Sequence, residues 1–127
     1  MIYEFCAENV TLLEKAMQAG ARRIELCDNL AVGGTTPSYG VTKAAVELAA
    51  NYDTTIMTMI RPRGGDFVYN DLEIAIMLED IRLTAQAGSQ GVVFGALTAD
   101  KKLDKPNLEK LIAASKGMEI VFHMAFD

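Results

Sequence analysis

Apolar positions along this chain switch repeatedly between two spacings. Ile2 to Cys6 is a short apolar run interrupted by Glu4, which predicts a strand. Asn9 to Ala19 follows with Val10, Leu12, Leu13, Ala16 and Met17 at helical spacing, closed by Gly20. Arg23 to Cys27 predicts the second strand. Asp28 to Gly40 holds Gly33, Gly34, Thr35, Thr36, Pro37, Ser38 and Gly40, too much turn chemistry for a regular element. Helical spacing returns from Val41 to Tyr52, and Thr54 to Ile60 is β-branched and apolar enough for the third strand. That strand stops at Arg61-Pro62-Arg63-Gly64-Gly65. Asn70 is placed to cap a helix over Asp71 to Ala87, with Asp71 and Glu73 in the favourable first turn. Gly91 to Gly95 predicts the fourth strand, Leu97 to Lys105 a polar loop, and Pro106 opens a helix through Lys116. Met118 to Met124 predicts the fifth strand.

The stretch Ala19 to Cys27 echoes Ala87 to Gly95, each a glycine-capped helix end running into a strand. Strands that alternate with helices of this length imply parallel pairing through right-handed crossovers, so the class is α/β. About four and a half such units fit one domain over residues 1–127. That number suits either an open doubly wound sheet or the first part of a (β/α) barrel.

Composition narrows the partners. The chain is 50% hydrophobic and 23% charged over 127 residues, enough for one core and no signature of disorder. A net charge of -5 and a pI near 4.8 speak against nucleic acid and anionic membranes as main partners. No apolar run approaches the roughly 20 residues of a membrane helix, so the expectation is a soluble, cytoplasmic protein. Cys6 and Cys27 are too few for a disulfide framework and are expected to be reduced.

Three groups of residues carry candidate chemistry. Glu4-Phe5-Cys6 and Glu25-Leu26-Cys27 repeat one spacing, and period-two alternation puts each Glu and Cys on one face of its strand. A buried carboxylate there needs a partner such as Arg61, while the plain reading of the thiols is small apolar packing. Arg61 and Arg63 flank Pro62 ahead of a glycine pair, a pattern suited to holding a carboxylate or phosphate. Its plainer reading is a loop tied down by an Arg61 to glutamate bridge. His123, the single histidine, falls near the end of the fifth strand, the edge where α/β folds place ligands. Two Cys, one His and seven Met suit a soft metal such as Cu(I), although no Cys-x-x-Cys or His-x-His spacing marks a site.

Arg23-Ile24-Glu25-Leu26-Cys27, Gly33-Gly34-Thr35-Thr36-Pro37-Ser38 and Met59 to Tyr69 resemble the CutC family. Met77 to Ile81, Gly91 to Gly95 and Phe122 to Asp127 continue that resemblance in order along essentially the whole chain. The resemblance implies a TIM-like (β/α) barrel and a link to copper homeostasis, with Cu(I) binding reported for some members. It draws Glu4, Cys6, Glu25, Cys27, Arg61 and His123 to the barrel mouth. Met124 stands where the family usually has Arg, which removes a cation and adds a thioether. The chain also stops where family members continue, so further strands or a paired copy are expected to complete the sheet, and a homo-oligomer follows from the second case. Two functions compete. In the first, Cys6 and Cys27 bind Cu(I), with His123 or Met124 as auxiliaries. In the second, Arg61 and Arg63 hold a small anionic substrate while Glu4, Glu25 or His123 transfers a proton.

Overall fold

The computed structural model describes residues 4–123. Five strands, β1 (Glu4–Glu8), β2 (Arg23–Cys27), β3 (Thr55–Met59), β4 (Gly91–Phe94) and β5 (Glu119–Phe122), alternate with helices α1 (Leu13–Gln18), α2 (Tyr39–Ala49), α3 (Asp71–Gln86) and α4 (Lys105–Ala114). All neighbouring strands pair parallel in the order β1-β2-β3-β4-β5. A doubly wound sheet reverses its strand order part way, and this one does not, so the architecture is that of a partial barrel.

The two faces of the sheet are chemically distinct. Ile24, Leu26 and Ile56 pack with Leu13, Met17, Ala45 and Ala49 of α1 and α2, whereas Ile60, Val92 and Phe94 pack with Ile74, Met77, Ile81 and Leu111 of α3 and α4. All four helices therefore cover the same face, as sequential right-handed crossovers require. The opposite face carries Cys27, Met57, Met59 and Val93, with Val121 against them. It is concave, because Arg23 Nη1 on β2 reaches Glu119 Oε1 on β5 at 2.9 Å across the two strands between. Gly91 makes room for this curl. A Cβ there would stand 2.4 Å from Met57 Sδ and 2.6 Å from the Glu119 carbonyl oxygen.

Several element ends differ from the sequence expectation, each for a local reason. The first helix starts at Leu13 rather than Asn9, since Asn9 (φ 48°) and Leu12 (φ 62°) are left-handed and cannot continue a right-handed helix. Asn9 Oδ1 accepts from Thr11 N–H instead. α2 begins at Tyr39 because the Ser38 hydroxyl accepts from Val41 N–H as its cap. The Asn70 cap on α3 is present as expected, completed by Glu73 into a capping box. The expectations for Ile2, for Met124 as an auxiliary ligand and for Asp127 lie outside the described residues.

Candidate functional site at the carboxyl end of the sheet

β3 ends at Met59, and the next residues turn over the concave face. Arg61 is only 5% exposed there. Its Nη1 donates to the carbonyl oxygens of Val32 at 2.7 Å and Gly34 at 3.1 Å, and its Nη2 donates to the carbonyl of Gly65 at 2.7 Å. Its backbone is fastened as well, since Thr36 N–H donates to the Arg61 carbonyl and Arg61 N–H donates to Thr36 Oγ1. The loop after β2 is thus clamped to the loop after β3. Gly33 fits this clamp because a Cβ there would come within 3.1 Å of Arg61 Nη1. The loop is tied down by Arg61, but through carbonyl dipoles rather than the glutamate bridge expected from sequence.

Strand register explains why Glu25 does not serve that purpose. Cys6, Glu25 and Met57 lie level with one another, and Arg61 follows Met57 by four residues, a rise of roughly 13 Å along a strand. His123 is at the level of Arg61, its N–H bonded to the Phe94 carbonyl at 2.7 Å. The six residues expected at the mouth therefore separate into layers: Arg61 and His123 at the top, Cys27 beside Glu8 below, and Cys6 with Glu25 lower still. Glu4 is the first described residue of β1 and pairs with Arg23, at the far end from the mouth.

Arg63 has other work. Its guanidinium bonds Glu73 Oε2 at 2.6 Å and the carbonyls of Asp66 and Val68, and lies 5.1 Å over the Tyr69 ring. Glu73 holds Arg63 charged, and the same hydrogen bond pulls the Glu73 carboxyl below its usual value. Arg63 joins the loop to the capping box of α3 instead of facing the concave side.

Around Arg61 the polar groups are incompletely used. Among the described residues, Arg61 Nε, Tyr69 Oη and His123 Nδ1 are buried without a hydrogen bond of ordinary geometry, although the Tyr69 hydroxyl lies against the Arg61 guanidinium. The Tyr69 ring packs in the core with Ile60 and Ile74. Phe67 ties the rest together: its ring is 4.9 Å from the Arg61 guanidinium and 5.4 Å from the His123 ring. Burial first, then the Arg61 charge, lowers the His123 pKa, so its imidazole is neutral at pH 7. A buried cation is a Coulombic partner for an anion, and a neutral imidazole is able to take up a proton. Tyr69 and Phe67 were not among the candidates read from the sequence. Neither belongs to a periodic segment, and the Arg61–Phe67 pair appears only once the loop has folded back.

The thiols tell a different story. Cys27 is buried and Cys6 exposed. Burial, then the nearby Cys6, Glu8, Asp28 and Glu25, push the Cys27 thiol from 9.0 up to about 11. Among the described residues no group of three His, Cys, Asp or Glu side chains is arranged to hold a metal ion. Among the described residues no helix is long and apolar enough to cross a membrane.

Comparison with known proteins places the geometry in context. The CutC family model matches residues 1–127. The family protein CutC of Streptococcus pyogenes serotype M6 is 57% identical over 127 residues, covering all of this chain and 61% of that protein. Its counterpart from Enterococcus faecalis is 54% identical over the same span, with the same coverage. A crystal structure of CutC from Streptococcus agalactiae, provisionally described as a copper homeostasis protein, superposes with a TM-score of 0.95 at 51% identity, covering all of this chain and 60% of that one. The chain thus spans about three fifths of the length of the relatives it matches.

Proposed function

Since the chain belongs to the CutC family, whose fold alone does not dictate a chemistry, we propose that its mouth binds a small anionic substrate for proton-transfer chemistry. The carrying observation is the buried Arg61, whose donors go to carbonyls and whose Nε is left over. Arg61 Nε–H and Tyr69 O–H hold the anion, and His123 Nδ1 exchanges a proton with it. Burial first, and then the Arg61 charge, keeps that imidazole neutral, ready to accept rather than donate first. Arg63 supports the scaffold in this reading, through Glu73 and the loop carbonyls. A thermal-shift panel of small carboxylates and phosphates tests it. A ligand at a hundred times its Kd stabilises by about 2.7 kcal/mol, and Tyr69→Phe should reduce that gain while leaving the unliganded melting temperature nearly unchanged. A panel in which no anion stabilises the protein would remove the proposal.

A copper-handling role is the second reading, favoured by the soft side chains gathered on the concave face. Cys27, Met57 and Met59 form one cluster, and Gly34 leaves both Cys27 Sγ and Met59 Cε within 3.5 Å of where its Cβ would stand. Cys6 and Cys27 would hold Cu(I) as cargo, with Met59 as a thioether neighbour and His123 one level above. The raised thiol of Cys27 means that Cu(I) must displace a proton to bind. Anaerobic Cu(I) titration decides this: equal affinity in a Cys6→Ala, Cys27→Ala double variant excludes the thiolate site. Both readings are of a cytoplasmic protein, where the thiols stay reduced, and a homo-oligomer would cover the outer strands β1 and β5.

A further inference from the structure

Arg61 Nε and His123 Nδ1, the two atoms on which the anion reading depends most, are shut off from solvent. An anion reaches them only if a neighbouring group moves. Most neighbours are held in place. The Arg61 guanidinium is pinned by the carbonyls of Val32, Gly34 and Gly65, and its backbone exchanges hydrogen bonds with Thr36. Tyr69 is buried in the core beside Ile60 and Ile74. His123 is bonded through its N–H to the Phe94 carbonyl at the end of β4.

Phe67 differs from all three. It is half-buried, its side chain is a plain ring with no hydrogen bond to lose, and that ring touches both the Arg61 guanidinium, at 4.9 Å, and the His123 ring, at 5.4 Å. On its other side the loops after β3 and β4 leave a recess of about 360 Å³, partly open to solvent and lined by Phe67 itself with Val68, Leu97 and Ala99. A space of about 150 Å³ already takes a benzene ring, so this recess can receive the whole Phe67 ring. The backbone stays where it is during such a swing, because the Phe67 carbonyl accepts from Leu97 N–H at 2.8 Å. Rotation from one staggered side-chain conformation to another is the only motion required.

We infer that Phe67 is a gate on the Arg61 site: its ring closes the site by resting on Arg61 and His123, and opens it by turning into the recess between the loops after β3 and β4. The inference rests on the anion reading above and adds how that site is opened. The recess takes the ring and plays no part in holding the ligand, while the space vacated beside Arg61 and His123 is that of one phenyl group. Contact with the guanidinium and with the imidazole favours the closed form. Without ligand that form dominates, so the apparent affinity for an anion is reduced by the fraction of molecules that are open.

Acetate titration followed at the Arg61 Nε–H resonance, in the parent protein and in Phe67→Ala, Phe67→Leu and Ala99→Trp, tests the gate. Phe67→Ala removes the ring and should tighten acetate binding by about tenfold, the factor expected once two aromatic contacts no longer hold the site shut. Phe67→Leu keeps much of the bulk but neither contact, so it should tighten binding by a smaller factor, and it carries the test if the alanine variant does not fold. Ala99→Trp fills the recess from an exposed position and should weaken acetate binding by about tenfold or more, because the ring has nowhere to turn. In the parent protein the nuclear Overhauser contact between the Phe67 and His123 rings should fade as acetate saturates. Phe67 variants that bind acetate no more tightly than the parent would overturn the gate and leave the anion reading standing, as would parental affinity in Ala99→Trp. Acetate bound by none of the four proteins would overturn both.

Discussion

A guanidinium taken almost wholly out of water has to recover its solvation from dipoles, and Arg61 does so with the carbonyls of Val32, Gly34 and Gly65. The residue therefore holds two loops together whether or not it binds a ligand. Arg61→Met is expected to destabilise the fold by about 3 kcal/mol or more, because three carbonyls lose a charged donor together. Arg61→Lys should recover only part of that, since one ammonium does not reproduce a fork spanning both loops. Chemical denaturation of both variants checks the order. At His123 the sign of the pH dependence is fixed by its lowered pKa. As pH falls below the ordinary 6.5, the unfolded chain takes up a proton that the folded one refuses, so stability drops until the folded-state value is passed. His123→Gln should flatten that segment of the stability curve and leave the curve above neutral pH unchanged. The importance of Arg61 was legible in the sequence, from a strand ending in Arg-Pro-Arg-Gly-Gly. Its partners were not, because carbonyl ligands leave no trace in residue identity. The division of labour between Arg61 and Arg63 was equally hidden, since it depends on Glu73 reaching back from the first turn of α3.

The alternation of strand and helix could be read directly, because period-two and helical spacings contrast sharply between β2 and α2 or between α3 and β4. Face assignment within strands followed as well: Glu25 and Cys27 do share the concave side. What could not be read was register. Parallel strands of unknown stagger allow Glu25 to sit beside Arg61 or well beneath it, and hydrogen bonding places it level with Met57. The start of α1 was missed for a related reason, since its apolar spacing extends back into residues whose backbone is left-handed. Gly91 gives this scale its sharpest test. A methyl group there meets Met57 at 2.4 Å and backbone of β5 at 2.6 Å. Met57 can swing aside but the Glu119 carbonyl cannot, so Gly91→Ala should cost about 1–3 kcal/mol as an overpacked position. Thermal unfolding of that variant beside the Gly91→Ala, Met57→Ala double variant checks it: part of the cost should persist after Met57 is trimmed, because the Glu119 carbonyl stays in place.

At the scale of the molecule, the sheet of the described residues runs in order from β1 to β5, with those two strands at its edges. Phe5 and Leu12 are exposed near β1, and Ile112 and Phe122 near β5, in a chain spanning about three fifths of its relatives. Such edges pair with whatever strand is offered. Sedimentation of the 127-residue chain should show mass rising with concentration, and Phe5→Lys should suppress it. A mass independent of concentration in both would contradict pairing through β1. The site itself does not depend on these edges, since Arg61, Phe67 and Tyr69 follow the central strand β3 and His123 is bonded to β4. The central claim is that the unfilled Nε–H of buried Arg61 is where an anion binds. Nitrogen-detected NMR of the arginine side chains during titration with acetate or benzoate reads this directly. A saturable shift of the Arg61 Nε–H resonance, with that of Arg63 unmoved, is the expected result; an Arg61 resonance that stays fixed through tens of millimolar anion would contradict the account.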